Sequence, residues 1–330
     1  MTEKLKTVSM NELYETVYRS KPPIIDGLLY PGAYLFVGAP KLGKSFLVAQ
    51  LAYHVGTGTP LWNFTVRKGT VLYLALEDDF RRLQERSYRM FGTDSTENLH
   101  FAVNANHLGR GLHEQLNDFI RQHPDTRLII IDTLQKIRDI CGENYSYASD
   151  YDIIAQLKNF ADVNGICLLM VHHTRKQKSD DKFDMISGTN GLLGAADGAF
   201  LLRKEKRTAN SAVLEISGRD QQDQKLHLTR NTENLTWELE RTETELWKLP
   251  PEPLLEKIAQ FVTKDNPNWN GTATELSEKI GSEIPINAIT KKLNINAGRL
   301  FNDYGILYKS RRVHEGRRIE FYFQQSCDSS

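Results

Sequence analysis

The stretch AYLFVGAPKLGKSFLVAQLAYHV, residues 33–55, decides the reading of this chain. It opens on an apolar strand-like run and closes on a helix-like run. Between the two, Gly38, Ala39, Pro40, Lys41, Leu42, Gly43, Lys44 and Ser45 fit the pattern G-x-x-x-x-G-K-[ST] in full, and Phe46 follows. Chance supplies about one such match per hundred chains of this length. Strand, glycine loop and helix form the setting in which the pattern has a mechanism. The glycines let consecutive N–H groups turn inward around a polyphosphate, and the helix N-terminus adds partial positive charge. Residues 38–46 are therefore the candidate nucleotide-binding loop. Lys44 is placed to reach the β- and γ-phosphates, and the Ser45 hydroxyl to ligate Mg2+. The alternative is a glycine-rich turn carrying a surface lysine.

Working outward, Val71–Leu76, Leu128–Ile131 and Ile166–Val171 are further short apolar runs. Asp78–Met90, Leu112–His123 and Tyr151–Val163 read as helices between them. Continuous apolar runs alternating with helices predict a mainly parallel sheet covered on both faces, an α/β fold. Asp132 directly follows three isoleucines, at the strand end where open α/β sheets bind ligands, and is the second candidate metal holder. After Ser187, the segments Ala199–Arg203, Ala212–Ser217, Lys225–Thr229 and Leu235–Leu239 alternate and extend the sheet.

A length of 330 residues suggests about two domains. Lys plus Arg is 42 and Asp plus Glu is 42, which excludes an all-over basic protein but not local basic patches. Cys141, Cys167 and Cys327 are few and far apart, so a disulfide scaffold is unsupported and a reducing cytoplasm fits. No apolar stretch reaches the roughly 18–20 residues of a membrane span, and the N-terminus lacks an apolar signal region. The expectation is a cytoplasmic protein with no membrane contact.

Residues 1–20 read as a polar helical arm with Met10, Leu13 and Val17 at helical spacing. It is either a packed extension or an arm for a neighbouring subunit. Residues 21–245 form the α/β domain. The proline-rich stretch 246–253 reads as a stiff linker. Residues 254–325 hold short helical segments, about Leu254–Val262, Thr272–Ile280, Ile286–Leu293 and Asn296–Tyr304, and then two strands around a basic turn. That order predicts a C-terminal winged helix-turn-helix, with 326–330 as a tail. Lys309, Arg311, Arg312, His314, Arg317 and Arg318 stand against Glu315 alone. They suit phosphate contacts, with Arg299 and Asn302 placed for base edges. A winged helix used for protein contacts is the alternative.

The stretches GAPKLGKS, VLYLALEDD, RLIIIDTL, LLMVHHTRK, SGTNGLLGAAD and SGRDQQ come in the order of a known family. Over residues 24–240 the chain resembles RecA-type hexameric ATPases and is most similar to RepA-type replication helicases of plasmids and mobile elements. The C-terminal domain lies outside this match. The resemblance implies a RecA-like P-loop ATPase core that uses ATP and Mg2+, a homo-hexameric ring, and single-stranded DNA in its pore. The C-terminal domain would meet duplex DNA or a protein. Residue by residue, the resemblance implies Glu77 as the carboxylate that activates water, with Asp78 sharing that role or capping the next helix. It implies His173 as phosphate sensor, although His172 and His173 also read as packed strand-end histidines. It implies Arg219 as a finger into the neighbour's site, with Arg203, Lys204, Lys206 and Arg207 as the other basic run. Arg175, Lys176, Lys178 and Lys182 fall where a pore loop meets DNA or where a plain solvated loop would lie. Thr133–Ser149 resembles the other pore loop, with Lys136, Arg138 and Tyr145 as candidates. Two further readings stay open: a DNA-bound remodeller, and a nucleotide-gated regulator without unwinding activity.

Overall fold

The computed structural model describes residues 5–18, 21–138, 147–173, 190–204, 206, 209–219, 221–243, 251–313 and 316–324. The chain divides into two compact units, one of Pro23–Trp247 and one of Met1–Pro22 with Lys248–Ser330.

In chain order the elements of the first unit are β1 (Gly32–Gly38), α2 (Lys44–Thr57), β2 (Thr70–Ala75), α3 (Phe80–Phe91), β3 (Leu99–Ala102), α4 (Leu112–Gln122), β4 (Thr126–Asp132), α5 (Leu134–Ile137), α6 (Tyr147–Asn164), β5 (Cys167–His173), α7 (Asn190–Ala195), β6 (Gly198–Arg203), β7 (Ser211–Gly218), β8 (Gln224–Arg230) and β9 (Trp237–Thr242). The nine strands make one sheet in the order β3-β2-β4-β5-β1-β6-β7-β8-β9. From β3 to β6 neighbouring strands are parallel, and β7, β8 and β9 follow as an antiparallel meander.

Burial on both faces explains the unbroken apolar runs. Along β4, Leu128 and Ile130 enter one core with Phe36, Leu47, Tyr73 and Phe200. Ile129 and Ile131 enter the other with Leu35, Ile154, Leu157 and Met170. Each such side chain contributes about 1.5–3 kcal/mol relative to exposure. On α2, Leu47, Leu51 and Val55 are buried one turn apart and seat the helix on the sheet. Strand β3 was not anticipated. It is four residues long, only half-buried and contains His100, so it lacks the apolar signature of the interior strands.

The last strand of the meander is tied to the first helix of the unit. Trp237 is fully buried. The Gln50 amide donates to its carbonyl at 2.9 Å and accepts from its backbone N–H at 2.8 Å. The Trp62 indole donates to the same carbonyl at 2.6 Å. One side chain on α2 thus satisfies both main-chain groups of a strand residue.

The second unit contains α1 (Met10–Glu15), α8 (Pro253–Phe261), β10 (Asn268–Thr272), α9 (Ala273–Ile280), α10 (Ile286–Ile295), α11 (Ala297–Tyr304), β11 (Ile306–Val313) and β12 (Gly316–Phe323). Its three strands form an antiparallel sheet in the order β10-β12-β11. Leu255, Ile258, Leu276, Ile289, Leu293, Leu300, Ile319 and Phe321 fill its core. Strand β10 stands where sequence reading saw only the approach to a helix. Thr272 ends it and caps α9 through a reciprocal pair with Glu275.

The N-terminal arm belongs to this unit. Helix α1 is shorter than the sequence suggests and is capped by a Ser9–Glu12 box. Met10 and Leu13 of the expected apolar stripe are exposed, while Val17 packs against the core. The buried Asn294 amide donates to the Tyr14 carbonyl at 2.9 Å and accepts from the Tyr308 hydroxyl at 2.8 Å. The end of the expected linker is likewise part of the unit. Pro253 opens α8, where its fixed φ suits a first turn, and Glu252 pairs with Lys292 at 2.9 Å.

Replacing Gln50 with leucine leaves the buried main-chain N–H of Trp237 without a partner. We expect a loss of about 1–3 kcal/mol, read as a lower denaturation midpoint in urea. An unchanged midpoint would refute the tie.

Candidate active site at the carboxyl edge of the sheet

Parallel register sets the site. Gly38 pairs with His173, Asp132 with Val171, and Ala75 with Asp132. The carboxyl ends of β1, β2, β4 and β5 therefore finish level, and the residues just beyond them converge.

The phosphate loop runs from Gly38 into α2. Gly43 adopts φ 96°, a left-handed conformation that favours glycine. A Cβ there would stand 3.1 Å from the Trp237 ring, and one on Gly38 would stand 2.7 Å from the Leu202 carbonyl. Both glycines thus keep side-chain atoms out of a tightly enclosed loop. Lys44 is buried. Its Nζ donates to the carbonyls of Gly38 at 2.7 Å and Ala39 at 3.0 Å, and meets His173 Nδ1 at 3.1 Å. Burial brings the ammonium down to about 8, against the pull of Asp132 and Glu77. No carboxylate forms a salt bridge with it among the described residues, so the cation is held ready by neutral groups.

Asp132 is buried and accepts from the Tyr73 hydroxyl at 2.8 Å. Burial raises its pKa, while the hydroxyls of Ser45 and Tyr73 pull the other way. Glu77 lies beyond β2, and its Oε1 accepts from the Thr133 hydroxyl at 3.2 Å. Burial, and next to it the Lys44 charge, lowers the pKa of His173, which favours a neutral ring accepting from Lys44. His172 is buried one residue earlier on the strand.

Asp78 does not share the position of Glu77. It forms ion pairs with Arg86 at 2.8 Å and Arg82 at 3.3 Å. The cap of α3 is Asp79, which accepts from the Arg82 N–H at 2.8 Å. Of three consecutive acids, the last stands at the extended residue before the helix, which is what a cap requires.

A cationic and aromatic group flanks the loop, and sequence reading singled out only its Phe46 and Lys204. The Arg230 guanidinium lies 4.2 Å from the Phe46 ring centroid, and Arg86 lies 5.2 Å from the same ring. Lys204 lies 5.4 Å from the ring of Trp237. Burial, then the nearby Arg89, lowers the pKa of Arg230. Arg203 is committed elsewhere, in a pair with Glu215.

Arg219 lies at the other edge of the sheet. Its N–H donates to Asp197, whose N–H donates to Ala33 at the start of β1, each at 2.8 Å. From Ala33 to Gly38 the strand covers about 17 Å at roughly 3.3 Å per residue. The Arg219 side chain is exposed and donates to the Gly194 carbonyl at 2.8 Å. It does not join the phosphate loop of its own chain.

The expected DNA contacts divide. Arg175, Lys176 and Lys178, with Lys182, lie outside the described residues, as do Cys141, Tyr145, Arg207, His314 and Cys327. Lys136 is exposed. Arg138 is buried in an ion pair with Asp150 at 3.0 Å, which removes it from the solvent-facing set. In the second unit, Lys309, Arg311, Arg318 and Glu320 share one face of the β11–β12 ladder. Arg311 is paired with Glu320 at 2.9 Å, and Lys309 lies over Tyr322. Arg317 turns toward Glu15 at 3.6 Å, and Arg299 toward Asp303 at 3.3 Å. Arg312 and Arg318 are exposed.

These donors fit a nucleotide and a divalent metal. Ser45 and Asp132 supply two oxygen groups at the same strand edge, the Ser45 hydroxyl near enough to favour the charged form of Asp132, and no cluster of three His, Cys, Asp or Glu side chains that could hold a metal occurs among the described residues. Few protein oxygens plus substrate phosphates is the usual Mg2+ arrangement. No helix among the described residues is long and apolar enough to cross a membrane.

Comparisons with known proteins bear on the fold and the family. The chain is 29% identical over 157 residues to the DNA repair protein RadA of Streptococcus pyogenes serotype M1, covering 47% of this chain and 30% of that protein. It is 25% identical over 183 residues to RadA of Escherichia coli K12, covering 54% of this chain and 35% of that protein. The matched segment thus spans about a third of these curated relatives. In fold, the chain is similar to the ATPase domain of G40P, with a TM-score of 0.56 at 15% identity, over 67% of this chain and 93% of that one. It is also similar to a DnaB-like replicative helicase solved with its primase interactions, with a TM-score of 0.52 at 15% identity, over 66% and 62%. A family model described as an AAA domain matches residues 1–179. That match covers more than half of the chain, which therefore belongs to the AAA_25 family and is a P-loop ATPase of RecA-like fold.

Proposed function

We propose that the chain is an ATP- and Mg2+-dependent ring ATPase that moves on single-stranded DNA, in the manner of a plasmid or mobile-element replicative helicase. The observation that carries this reading is the position of Arg219. The phosphate loop and its carboxylates form one half of a hydrolytic site, and the arginine expected to complete it lies at the opposite sheet edge. In this reading a second copy brings it. Similarity in fold to the ATPase domain of G40P and to a DnaB-like helicase supports a homo-hexameric ring around a single strand.

In this reading Lys44 leaves its carbonyl partners for the β- and γ-phosphates, and His173, then without its lysine, responds to the γ-phosphate. Ser45 and Asp132 would hold Mg2+, which would neutralise charge on the phosphates. Glu77 orients the water whose oxygen bonds to the γ-phosphorus as the bridge to the β-phosphate breaks, and takes one of its protons. Arg219 from the adjacent copy stabilises the charge that develops.

The second unit reads as a winged helix. Short helices α8 to α11, with strand β10 between the first two, followed by the β11–β12 hairpin, support that reading, with one helix more than the three of a minimal winged helix. The exposed Arg318, with Lys309 on the same face of the hairpin and Arg312 on the opposite face, suits duplex DNA phosphates, and a protein partner is the other occupant. A repair or recombination remodeller that does not unwind is the alternative, favoured by the RadA relatives. A strand-displacement assay separates the two.

Lys44→Ala is expected to abolish nucleotide binding and hydrolysis. Arg219→Ala is expected to bind ATP normally but hydrolyse it on the order of a thousandfold more slowly. Mixing the two inactive proteins should restore part of the turnover, because some joints then pair an intact loop with an intact arginine. Full activity in Arg219→Ala alone would overturn the split site. Steady-state hydrolysis should rise on addition of single-stranded DNA, and indifference to it would favour a nucleotide-gated regulator.

Replacing Lys309, Arg312 and Arg318 together with alanine should weaken duplex binding by the full chain. The slope of log affinity against log salt should become shallower by about 0.9 for each lost phosphate contact. An unchanged slope would point to a protein partner instead.

A further inference from the structure

We infer that Thr133 is a positioning residue for hydrolysis: its hydroxyl, delivered from the end of β4, fixes the rotamer of Glu77 from the end of the adjacent β2. This rests on the reading of Glu77 as the carboxylate that activates water.

Register brings the two together. Ala75 pairs with Asp132, and the Leu76 N–H donates to the Asp132 carbonyl at 2.8 Å, so Glu77 and Thr133 both emerge just past the last rung of the ladder. The Thr133 hydroxyl then donates to Glu77 Oε1 at 3.2 Å. Among the described residues this is the one hydrogen bond to the Glu77 carboxylate.

The usual employment of this threonine is vacant. Thr133 occupies the N-cap of α5 with extended backbone, where a threonine hydroxyl ordinarily accepts from an N–H of the first turn. Here it makes no capping bond. The Lys136 N–H is satisfied instead by the Thr133 main-chain carbonyl at 2.9 Å. Thr133 is also almost wholly buried, at 1% exposure. A buried hydroxyl needs a partner, and among the described residues the one it has is Glu77.

A glutamate has three side-chain torsions, and its freedom at a strand end is large. Anchoring Oε1 leaves Oε2 to address water in a single direction. That is a rate effect through orientation, separate from nucleotide affinity. Threonine suits the task because its branched Cβ is stiff at χ1. The same strand thus holds Asp132 for the metal and, one residue on, the group that aims the base.

The test compares Thr133→Val, Thr133→Ser, Glu77→Gln and the Thr133→Val/Glu77→Gln double variant in the full chain. Turnover is measured with ATP, and binding with ADP by calorimetry. Valine keeps the shape and removes the donor. We expect Thr133→Val to lower kcat by about ten- to a hundredfold with KM and ADP affinity unchanged, and Thr133→Ser to recover most of the loss. In the double variant, valine should add nothing to the loss caused by Glu77→Gln alone. Wild-type kcat in Thr133→Val overturns the inference, as does a loss shared equally by ADP binding or one that adds in full to that of Glu77→Gln. Wild-type turnover in Glu77→Gln would instead defeat the reading of Glu77 itself, whatever Thr133→Val does.

Discussion

The parallel pairing of β1 with β5 is the constraint on which this molecule depends. It sets Gly38 level with His173, and through β4 and β2 it carries Asp132 and then Glu77 to the same edge. Four separate stretches of sequence meet only because their strands run the same way and end together. A slip of one residue in any pair would turn every side chain of a strand to the opposite face. The strands are buried on both sides, so such a slip would also exchange residues between two differently shaped cores. Packing thereby protects the site without touching it.

Within that frame the site is held mostly by neutral groups. Lys44 rests on two carbonyls and a histidine, and Asp132 is braced by the Tyr73 hydroxyl. Neutral partners can be exchanged for phosphate and metal without first breaking a strong ion pair, whose separation inside a protein is costly. The true ion pairs stand aside. Asp78 is committed to Arg86 and Arg82, and Arg138 to Asp150. Charges that shape the scaffold are therefore kept apart from those proposed to serve the ligand.

Much of this was legible in the sequence, for reasons that differ by element. The phosphate loop is contiguous, so its chemistry can be read in one line. The interior strands are apolar throughout because helices cover both faces. Strand β3 and strand β10 escaped notice because their residues, LHFA and NWNGT, are held by pairing with a neighbour rather than by an apolar pattern of their own. Contacts across strands were equally hidden. Tyr73 looks like one more strand residue until its hydroxyl, reaching beyond its register partner Ile130, meets Asp132, and nothing in the sequence sets Thr133 beside Glu77. Asp78 and Asp79 could be told apart only by backbone conformation. The basic residues of β11 and β12 read as one patch, but their partition between Glu320, Glu15 and solvent follows from hairpin register and from the docking of the N-terminal helix.

The distance between Arg219 and its own phosphate loop also carries an arithmetic. If the arginine serves an adjacent copy, the contact joins two different faces of the same molecule, and such head-to-tail contacts build either closed circles or open filaments. In an open row the terminal copy at one end always lacks its incoming arginine, so complete sites number one fewer than copies. Closing the circle supplies the missing residue and removes the last idle site. A single copy has none. Catalytic capacity would then count joints rather than subunits, and the protein would report its own state of assembly through the rate at which it consumes nucleotide.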